Sequence, residues 1–141
     1  MKIASLISGK SVAVISPSAS AHDLVNALSS HHVGALVVSS DGKKIEGIVS
    51  ERDVVRAMPG NLDQLVKLRV SDLMTSDVVT CTADSTVAEL MAVMTERRIR
   101  HIPVVDGEGT LQSIVSIGDV VKAHISEIEL EREALAHYVS Q

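Results

Sequence analysis

Aromatic side chains are almost absent from this 141-residue chain, which has one tyrosine and neither tryptophan nor phenylalanine. The core must therefore consist of aliphatic side chains, and a bound planar ring would lie against them rather than stack on an aromatic ring. Hydrophobic residues make up 45% of the sequence and charged residues 22%, which is typical of a soluble globular protein. A chain of this length buries enough surface to fold without disulfides or metal ions.

Cysteine is limited to Cys81, which excludes an intramolecular disulfide and a zinc site made of cysteines alone. Cys81 lies in a strand-like stretch and is more typical of a small core residue than of a nucleophile, since no motif links a histidine base to it. The adjacent His31 and His32 would point about 100° apart on a helix and would chelate one ion poorly. The sequence therefore predicts no metal site.

An excess of basic charge, long apolar runs and catalytic motifs are also lacking. The net charge of −5 is not the basic excess of a nucleic-acid-binding surface. No apolar run approaches the ~18 residues that a membrane span needs, and residues 1–9 lack the apolar core of a signal peptide. Phosphate-binding loops, dinucleotide fingerprints and nucleophile elbows are missing. We therefore expect a cytoplasmic protein that is not an enzyme and binds neither nucleic acid nor membrane.

An internal repeat organises the chain. A shift of 66 residues aligns 12–57 with 78–123 without gaps, and ten of the 46 aligned positions are identical. Seven of the ten lie in the last ten aligned positions, where chance matches would scatter. The clustering indicates a duplication of one structural unit, of the kind that packs against its own copy to complete a core.

Each copy has the same predicted order of elements. A short strand precedes a helix that begins at a capping-box pair, Ser20 with Asp23 or Thr86 with Glu89. Two more strands and a second helix follow. The predicted strands are residues 12–15, 35–38 and 47–50 in the first copy, and 78–81, 102–105 and 113–116 in the second. This pattern predicts an α/β (α+β) fold of two β-α-β-β-α repeats packed sheet to sheet with pseudo-two-fold symmetry.

The chain divides into four predicted segments. Residues 1–60 form the first repeat with an N-terminal lead-in helix, 61–77 a linker and second lead-in, 78–125 the second repeat, and 126–141 a C-terminal helix extension. The helix that starts near position 119 carries an apolar stripe at spacings of four and three. Its members are Val121, Ile125, Ile128, Leu135 and Val139. Either this stripe is a dimer seam, or the first half of the helix caps the core and the rest is solvated.

Four segments resemble a known family. They are VSDLMT at 70–75, RRIRHIPVV at 97–105, GIVSERD at 47–53 and SIVSIGD at 113–119, with a weaker echo of the first at 3–7. Taken in chain order across the two copies, these segments resemble CBS domains, named for cystathionine β-synthase, and in particular stand-alone bacterial CBS pairs. The resemblance implies a regulatory module and a homodimer that acts on a separate, unknown protein target. It also implies binding of AMP, ADP, ATP, NAD or S-adenosylmethionine between the repeats, with no cofactor required.

The resemblance also implies two clefts, each built from both repeats. The first would hold Ser50, Arg52 and Asp53 with Ile99, Arg100, His101 and Pro103. The second would hold Ser116, Gly118 and Asp119 with Val33, Gly34 and Ala35. In each cleft the aspartate would accept hydrogen bonds from the ribose hydroxyls, and the adenine would lie near the early strands.

Two features of these clefts have alternative interpretations. The Ser-x-x-Asp pairs have capping-box spacing, so they also suit a purely structural role, and one aspartate can serve both. The basic cluster of Arg97, Arg98, Arg100 and His101, just before the predicted strand 102–105, favours the first cleft for phosphates, but it also suits a solvated helix end. The sequence does not choose among the adenosyl ligands. The alternative function is a dimeric protein-interaction module without a small-molecule ligand.

Overall fold

The computed structural model describes residues 1–60 and 62–140 of the chain. Positions 61 and 141, the first of the predicted linker and the last of the predicted helix extension, lie outside the described residues. Within this part of the chain, no helix combines the length and the apolar character that crossing a bilayer requires.

The first repeat contains a three-stranded sheet and two helices. After a short lead-in helix, α1 (Ala4–Ile7), come β1 (Val14–Ile15), α2 (Ala21–His31), β2 (Ala35–Val38), β3 (Gly47–Ser50) and α3 (Glu51–Ala57). Strand β1 runs parallel to β2, and β2 is antiparallel to β3. The predicted strands 35–38 and 47–50 are confirmed residue for residue, whereas the first strand is two residues shorter than predicted.

The second repeat has the same order, except that in the described residues two short helices and no strand precede its first long helix. Two short helices, α4 (Leu62–Leu65) and α5 (Val70–Leu73), precede α6 (Val87–Arg97), β4 (His101–Val105), β5 (Leu111–Ser116) and α7 (Ile117–Val139). Strands β4 and β5 are antiparallel, with His101 opposite Ser116 as Ala35 is opposite Ser50 in the first repeat. The predicted fold class, including the long C-terminal helix, is confirmed.

The predicted strand at 78–81 is wrong in extent, because only Cys81 forms a bridge, parallel to Val104. Cys81 donates to the Pro103 carbonyl at 3.0 Å and accepts from the Val105 N–H at 2.8 Å. Pro103 has no N–H to donate toward this edge, whereas Val37, which aligns with it in the first repeat, has one. The proline therefore explains why the ladder ends after one residue.

Capping boxes start the long helices as predicted. The Asp23 N–H donates to the Ser20 hydroxyl and the Ser20 N–H to the Asp23 carboxylate, and Thr86 and Glu89 exchange the same two bonds before α6. Both helices end at a residue with φ of 54°, His32 or Arg98, whose positions match under the 66-residue shift. The left-handed C-cap turns the chain into β2 or β4.

The two cores exchange their lead-in helices. Ile3 is fully buried among core residues of the second repeat, including Cys81 and Val87, whereas Val70 is fully buried in the core of the first repeat. Each segment before a repeat therefore packs on the opposite repeat. This exchange ties the ends of the chain into one folded unit. The predicted domain boundaries follow chain order and remain a prediction.

The turn between β2 and β3 meets the turn between β4 and β5 where the two repeats face each other. Lys44 forms an antiparallel bridge with Thr110, and the Leu111 N–H donates to the Lys43 carbonyl at 2.8 Å. Because positions 44 and 110 are equivalent under the 66-residue shift, their pairing lies on the pseudo-two-fold axis of the chain.

Helix α7 contacts the core through a different face from its apolar stripe. Val120 and Ala123 are buried, and the helix packs on α6. The stripe itself is exposed in the single chain, with exposures of 45% at Val121 and 81% at Val139. The first half of α7 thus caps the core, and the side chains of the stripe remain exposed along the outer face of the helix.

Candidate functional site

Ser50 and Asp53 lie at the junction of β3 and α3. One carboxylate oxygen of Asp53, Oδ2, accepts hydrogen bonds from the Ser50 N–H at 2.8 Å and from the Ser50 hydroxyl at 3.1 Å. Within residues 1–60 and 62–140, nothing hydrogen-bonds to the other oxygen, Oδ1. The serine therefore fixes the orientation of the carboxylate and leaves one oxygen available to a ligand hydroxyl.

Ser116 and Asp119 repeat this arrangement at the junction of β5 and α7. Asp119 Oδ2 accepts from the Ser116 N–H at 2.9 Å and from the Ser116 hydroxyl at 3.0 Å. Here the Asp119 N–H also donates to the Ser116 hydroxyl at 3.2 Å, which completes the capping box. The structural and the ligand-binding interpretations of the pair are thus compatible, since the cap uses only Oδ2 of the carboxylate.

Lys10 distinguishes the second pair from the first. Its ammonium group lies 3.0 Å from Asp119 Oδ1. Burial alone would raise the pKa of Asp119, but the hydrogen bonds from Ser116 and the Lys10 ammonium hold that pKa below its usual value. Sequence reasoning missed Lys10, because it lies 109 positions from Asp119 and outside the repeat alignment.

His101 is the point where the two repeats approach each other closely. A Cβ atom added to Gly34 would lie 3.5 Å from His101 Cε1 and 3.4 Å from Glu51 Oε1. Burial lowers the pKa of His101, an effect opposed by the carboxylates of Glu51 and Asp119 and reinforced by the nearby Arg100. Gly34 and His101, assigned from the sequence to different clefts, therefore lie together where the two repeats meet.

Glu51 belongs to this cluster although the sequence analysis did not select it. It begins α3 directly after Ser50, and its N–H donates to the Gly34 carbonyl at 3.0 Å. The equivalent bond in the second repeat joins the Ile117 N–H to the Arg100 carbonyl at 2.8 Å. Its place inside the Ser-x-x-Asp segment was the signal in the sequence that could have identified it.

The basic residues of the predicted first cleft lie at exposed positions. Arg52 is in the first turn of α3, and Arg100 immediately precedes β4. Arg97 and Arg98 occupy the last turn and the C-cap of α6, as the alternative interpretation of a solvated helix end predicts. In the described part of the chain, no hydrogen bond or ion pair joins Arg100 to Asp53. Their common role in one cleft stays a prediction.

The remaining predicted residues divide between the surface and the core. Pro103 and Ala35 are buried within their strands, and Ile99 packs against the second core. Val33 and Gly118 are exposed, Val33 before β2 and Gly118 in the first turn of α7. Exposed backbone near a strand end is accessible to a ligand, whereas the buried side chains act by positioning that backbone.

Two surface cavities have neither Asp53 nor Asp119 in their lining, although one includes Gly118, next to Asp119. One, of about 610 Å³, lies between the hairpin turns and is lined by Lys43, Lys44, Ile45, Ser76, Asp77, Val78, Thr80, Val105, Glu108, Gly109 and Thr110. The other, of about 500 Å³, follows the outer face of α7 and is lined by Ile117, Gly118, Val121, Lys122, Ile125 and Ser126. The first cavity includes part of the 78–80 segment that the sequence placed near adenine.

The chemistry of the buried thiol differs from that of a nucleophile. Burial raises the pKa of Cys81 to about 11, so the thiol is protonated at neutral pH. In the part of the chain that the structure describes, no group of three or more His, Cys, Asp or Glu side chains is arranged to hold a metal ion. The polar groups that do lie together, the two serine–aspartate pairs, form hydrogen bonds within each pair.

Comparison with known proteins identifies both halves of the chain. The CBS domain family matches residues 4–60 and again residues 70–126. The chain is 38% identical over 122 residues to the mitochondrial CBS domain-containing protein CBSX3 of Arabidopsis thaliana, covering 84% of this chain and 59% of that protein. The chain thus spans less than two thirds of that relative.

Solved structures agree in fold over nearly the whole chain. A CBS-domain containing protein from Agrobacterium tumefaciens is 39% identical, with a TM-score of 0.82, covering 88% of this chain and 99% of that one. A CBS domain protein from Pyrobaculum aerophilum complexed with AMP is 26% identical, with a TM-score of 0.76, covering 84% of this chain and 89% of that one. The chain therefore belongs to the CBS domain family, as a tandem pair of CBS domains.

Proposed function

We propose that the protein is a regulatory module that binds adenosyl nucleotides in clefts between its two CBS repeats. AMP, ADP and ATP are the leading ligands, and NAD and S-adenosylmethionine share the same adenosyl group. The observation that carries the proposal is the geometry of Asp53. Its carboxylate is oriented by Ser50 through one oxygen and presents the other, Oδ1, without a partner among the described residues.

The chemistry of a ribose suits this carboxylate. The adjacent 2′- and 3′-hydroxyls are donors, and an ionised carboxylate forms strong, short hydrogen bonds with such donors. The exposed guanidinium groups of Arg52 and Arg100 are available to pair with phosphate oxygens. The AMP bound by the Pyrobaculum aerophilum protein supports an adenine nucleotide as the ligand class.

A ligand that contacts both repeats acts by population shift. It stabilises the relative orientation of the repeats that it binds best, by as much as its affinity differs between the orientations. A change in the relative orientation of the repeats would alter the contact of Gly34, Glu51 and His101, since these residues join the two repeats. We propose a separate protein as the target that senses the change. Its identity, like the cytoplasmic location, stays a prediction.

A dimeric interaction module without a ligand is the second candidate. The observation that favours it is the exposed apolar stripe of α7, from Val121 to Val139. A homodimer is also compatible with nucleotide binding, so dimerisation alone does not decide between the candidates. Catalysis by a cysteine nucleophile has less support, because the one cysteine is a buried thiol with a raised pKa.

Calorimetric titration of wild type and Asp53→Ala with AMP, ADP, ATP, NAD and S-adenosylmethionine tests the proposal. We expect saturable binding of at least one ligand to the wild type. We also expect the affinity of the first cleft to fall at least about tenfold in Asp53→Ala, because a hydrogen bond to a charged group is worth about 1.5–3 kcal/mol. Arg100→Ala should weaken phosphate-bearing ligands by about 1–3 kcal/mol.

Asp23→Ala is the matched control for the titration. Asp23 forms a capping box with Ser20 at the start of α2, so its loss removes a helix cap of the same type outside the predicted clefts. We expect Asp23→Ala to lower stability but to keep the wild-type affinity. An absence of binding by the wild type at millimolar concentrations of every ligand would favour the interaction module instead.

A further inference from the structure

The two predicted clefts are not equivalent at their aspartates. In both, Oδ2 is held by the preceding serine, but Asp119 Oδ1 is paired with the Lys10 ammonium at 3.0 Å, whereas Asp53 Oδ1 has no partner among the described residues. The Lys10 pair is partly exposed, with side-chain exposures of 45% for the lysine and 30% for the aspartate. The lysine can therefore leave the carboxylate without unfolding any element.

The duplication shows that this lysine is particular to the second cleft. Lys10 lies shortly before β1, in the lead-in of the first repeat, and precedes the stretch expected to flank an adenine ring. The corresponding lead-in of the second repeat aligns with a shift of 66 or 67 residues and has Ser76 or Asp77 at this position. Neither side chain is a cation, so the first cleft has no counterpart of the Lys10–Asp119 pair.

The pair has opposite consequences for neutral and anionic ligands. A ribose that binds Asp119 Oδ1 competes with the Lys10 ammonium for the same oxygen, and loss of an exposed ion pair weakens binding by up to about fivefold. A ligand with a phosphate offers the displaced ammonium a new anionic partner within reach of the same cleft. A nucleoside without a phosphate offers no such partner, so its affinity falls by the whole of this factor.

We infer that Lys10 makes the second cleft selective for phosphorylated nucleosides, because its ammonium group covers the carboxylate that the ribose needs and is released to a phosphate of the same ligand. This inference rests on the proposed nucleotide-binding function. It adds to that function a specificity-determining residue of the second cleft. The first cleft, with its free carboxylate oxygen, binds adenosine without this loss, and its preference for AMP depends on Arg52 and Arg100 instead.

Titration of the full chain with adenosine and AMP, in an Asp53→Ala background that disables the first cleft, tests the inference. We expect the further change Lys10→Met to raise the affinity for adenosine about threefold to fivefold and to lower that for AMP by a similar factor. The preference for AMP over adenosine should then fall about tenfold. An unchanged preference, or an absence of binding both with and without Lys10→Met, would overturn the inference.

Lys2→Met in the same background is the control for the loss of one lysine. Lys2 forms an exposed ion pair with Asp84, at 3.7 Å, and leaves the Lys10–Asp119 pair intact. We expect it to leave the preference unchanged, and an equal change in preference would contradict a specific role for Lys10. Titration of the wild type separates the two hypotheses. If it binds no nucleotide, both fail, whereas Asp53-dependent binding with no effect of Lys10→Met overturns only the role of Lys10.

Discussion

Replacing Ile3 with alanine should lower the free energy of unfolding by about 2–5 kcal/mol, although this residue is only the third of the chain. The Ile3 side chain is fully buried in the core of the second repeat. Its truncation removes apolar contacts and leaves a cavity that the surrounding strands and helices fill only in part. Thermal unfolding followed by far-UV circular dichroism should show a decrease in Tm of about 10 °C.

The backbone around Ile3 prevents the segment from relaxing after this change. The Ile3 N–H donates to the Ser85 carbonyl at 2.8 Å, the Ala4 N–H to the Ala83 carbonyl at 2.9 Å, and the Val87 N–H to the Met1 carbonyl at 3.0 Å. These bonds hold the lead-in at the start of α6. A terminus that is fixed in this way behaves energetically like an internal strand.

Val139→Ala is the control at the opposite end of the chain. Val139 is a β-branched residue two positions from the C-terminal residue and is 81% exposed. We expect its replacement to change the free energy of unfolding by no more than about 0.5 kcal/mol. A value for Ile3→Ala within the same range would show that the lead-in does not belong to the second core.

Gly47→Ala should lower the free energy of unfolding by about 1–3 kcal/mol. A Cβ atom at this position would lie 2.6 Å from Met74 Sδ and 2.9 Å from the Thr75 carbonyl oxygen. Met74 can rotate away, but the Thr75 carbonyl cannot, because it accepts the Ile48 N–H at 2.9 Å. The smaller conformational entropy of an unfolded chain with alanine favours folding by only about 0.4–1 kcal/mol. The clash therefore dominates.

Gly107→Ala serves as the control for Gly47→Ala. A Cβ atom at Gly107 would meet no atom within 4 Å. Its replacement should be neutral or slightly stabilising in chemical denaturation, which measures both variants on the same scale. The second repeat has Ser113, with a Cβ, where the first has Gly47, so the constraint belongs to the first repeat. Equal stabilities of the two variants would contradict the close approach of α5 to β3.

Much of the fold could be predicted from the sequence because the relevant signals are local. Strands 35–38 and 47–50 were predicted by apolar runs bounded by turn residues, and capping-box spacing located the starts of α2 and α6. The strand at 78–81 could not be predicted correctly from its own residues, since Pro103 on the neighbouring strand limits the ladder. The exchange of lead-in helices was likewise invisible, because it depends on contacts between segments about 50 to 80 residues apart.

The candidate site was predictable to a similar degree. The duplicated Ser-x-x-Asp pairs identified Asp53 and Asp119, and the structure gives both carboxylates the same serine contacts. Local spacing could not separate helix capping from ligand binding, since one carboxylate oxygen performs the first and the other is left for the second. It also could not reveal Lys10, because an ion pair between distant segments leaves no periodic signal.

A crystal structure of the protein grown with AMP tests the central claim most directly. The account predicts AMP between the two repeats, with a ribose hydroxyl within about 2.5–3.0 Å of Asp53 Oδ1. It also predicts that Ser50 keeps its bonds to Oδ2. AMP bound at another surface, with Asp53 Oδ1 still unpaired, would contradict the account and leave the serine–aspartate pairs as helix caps alone.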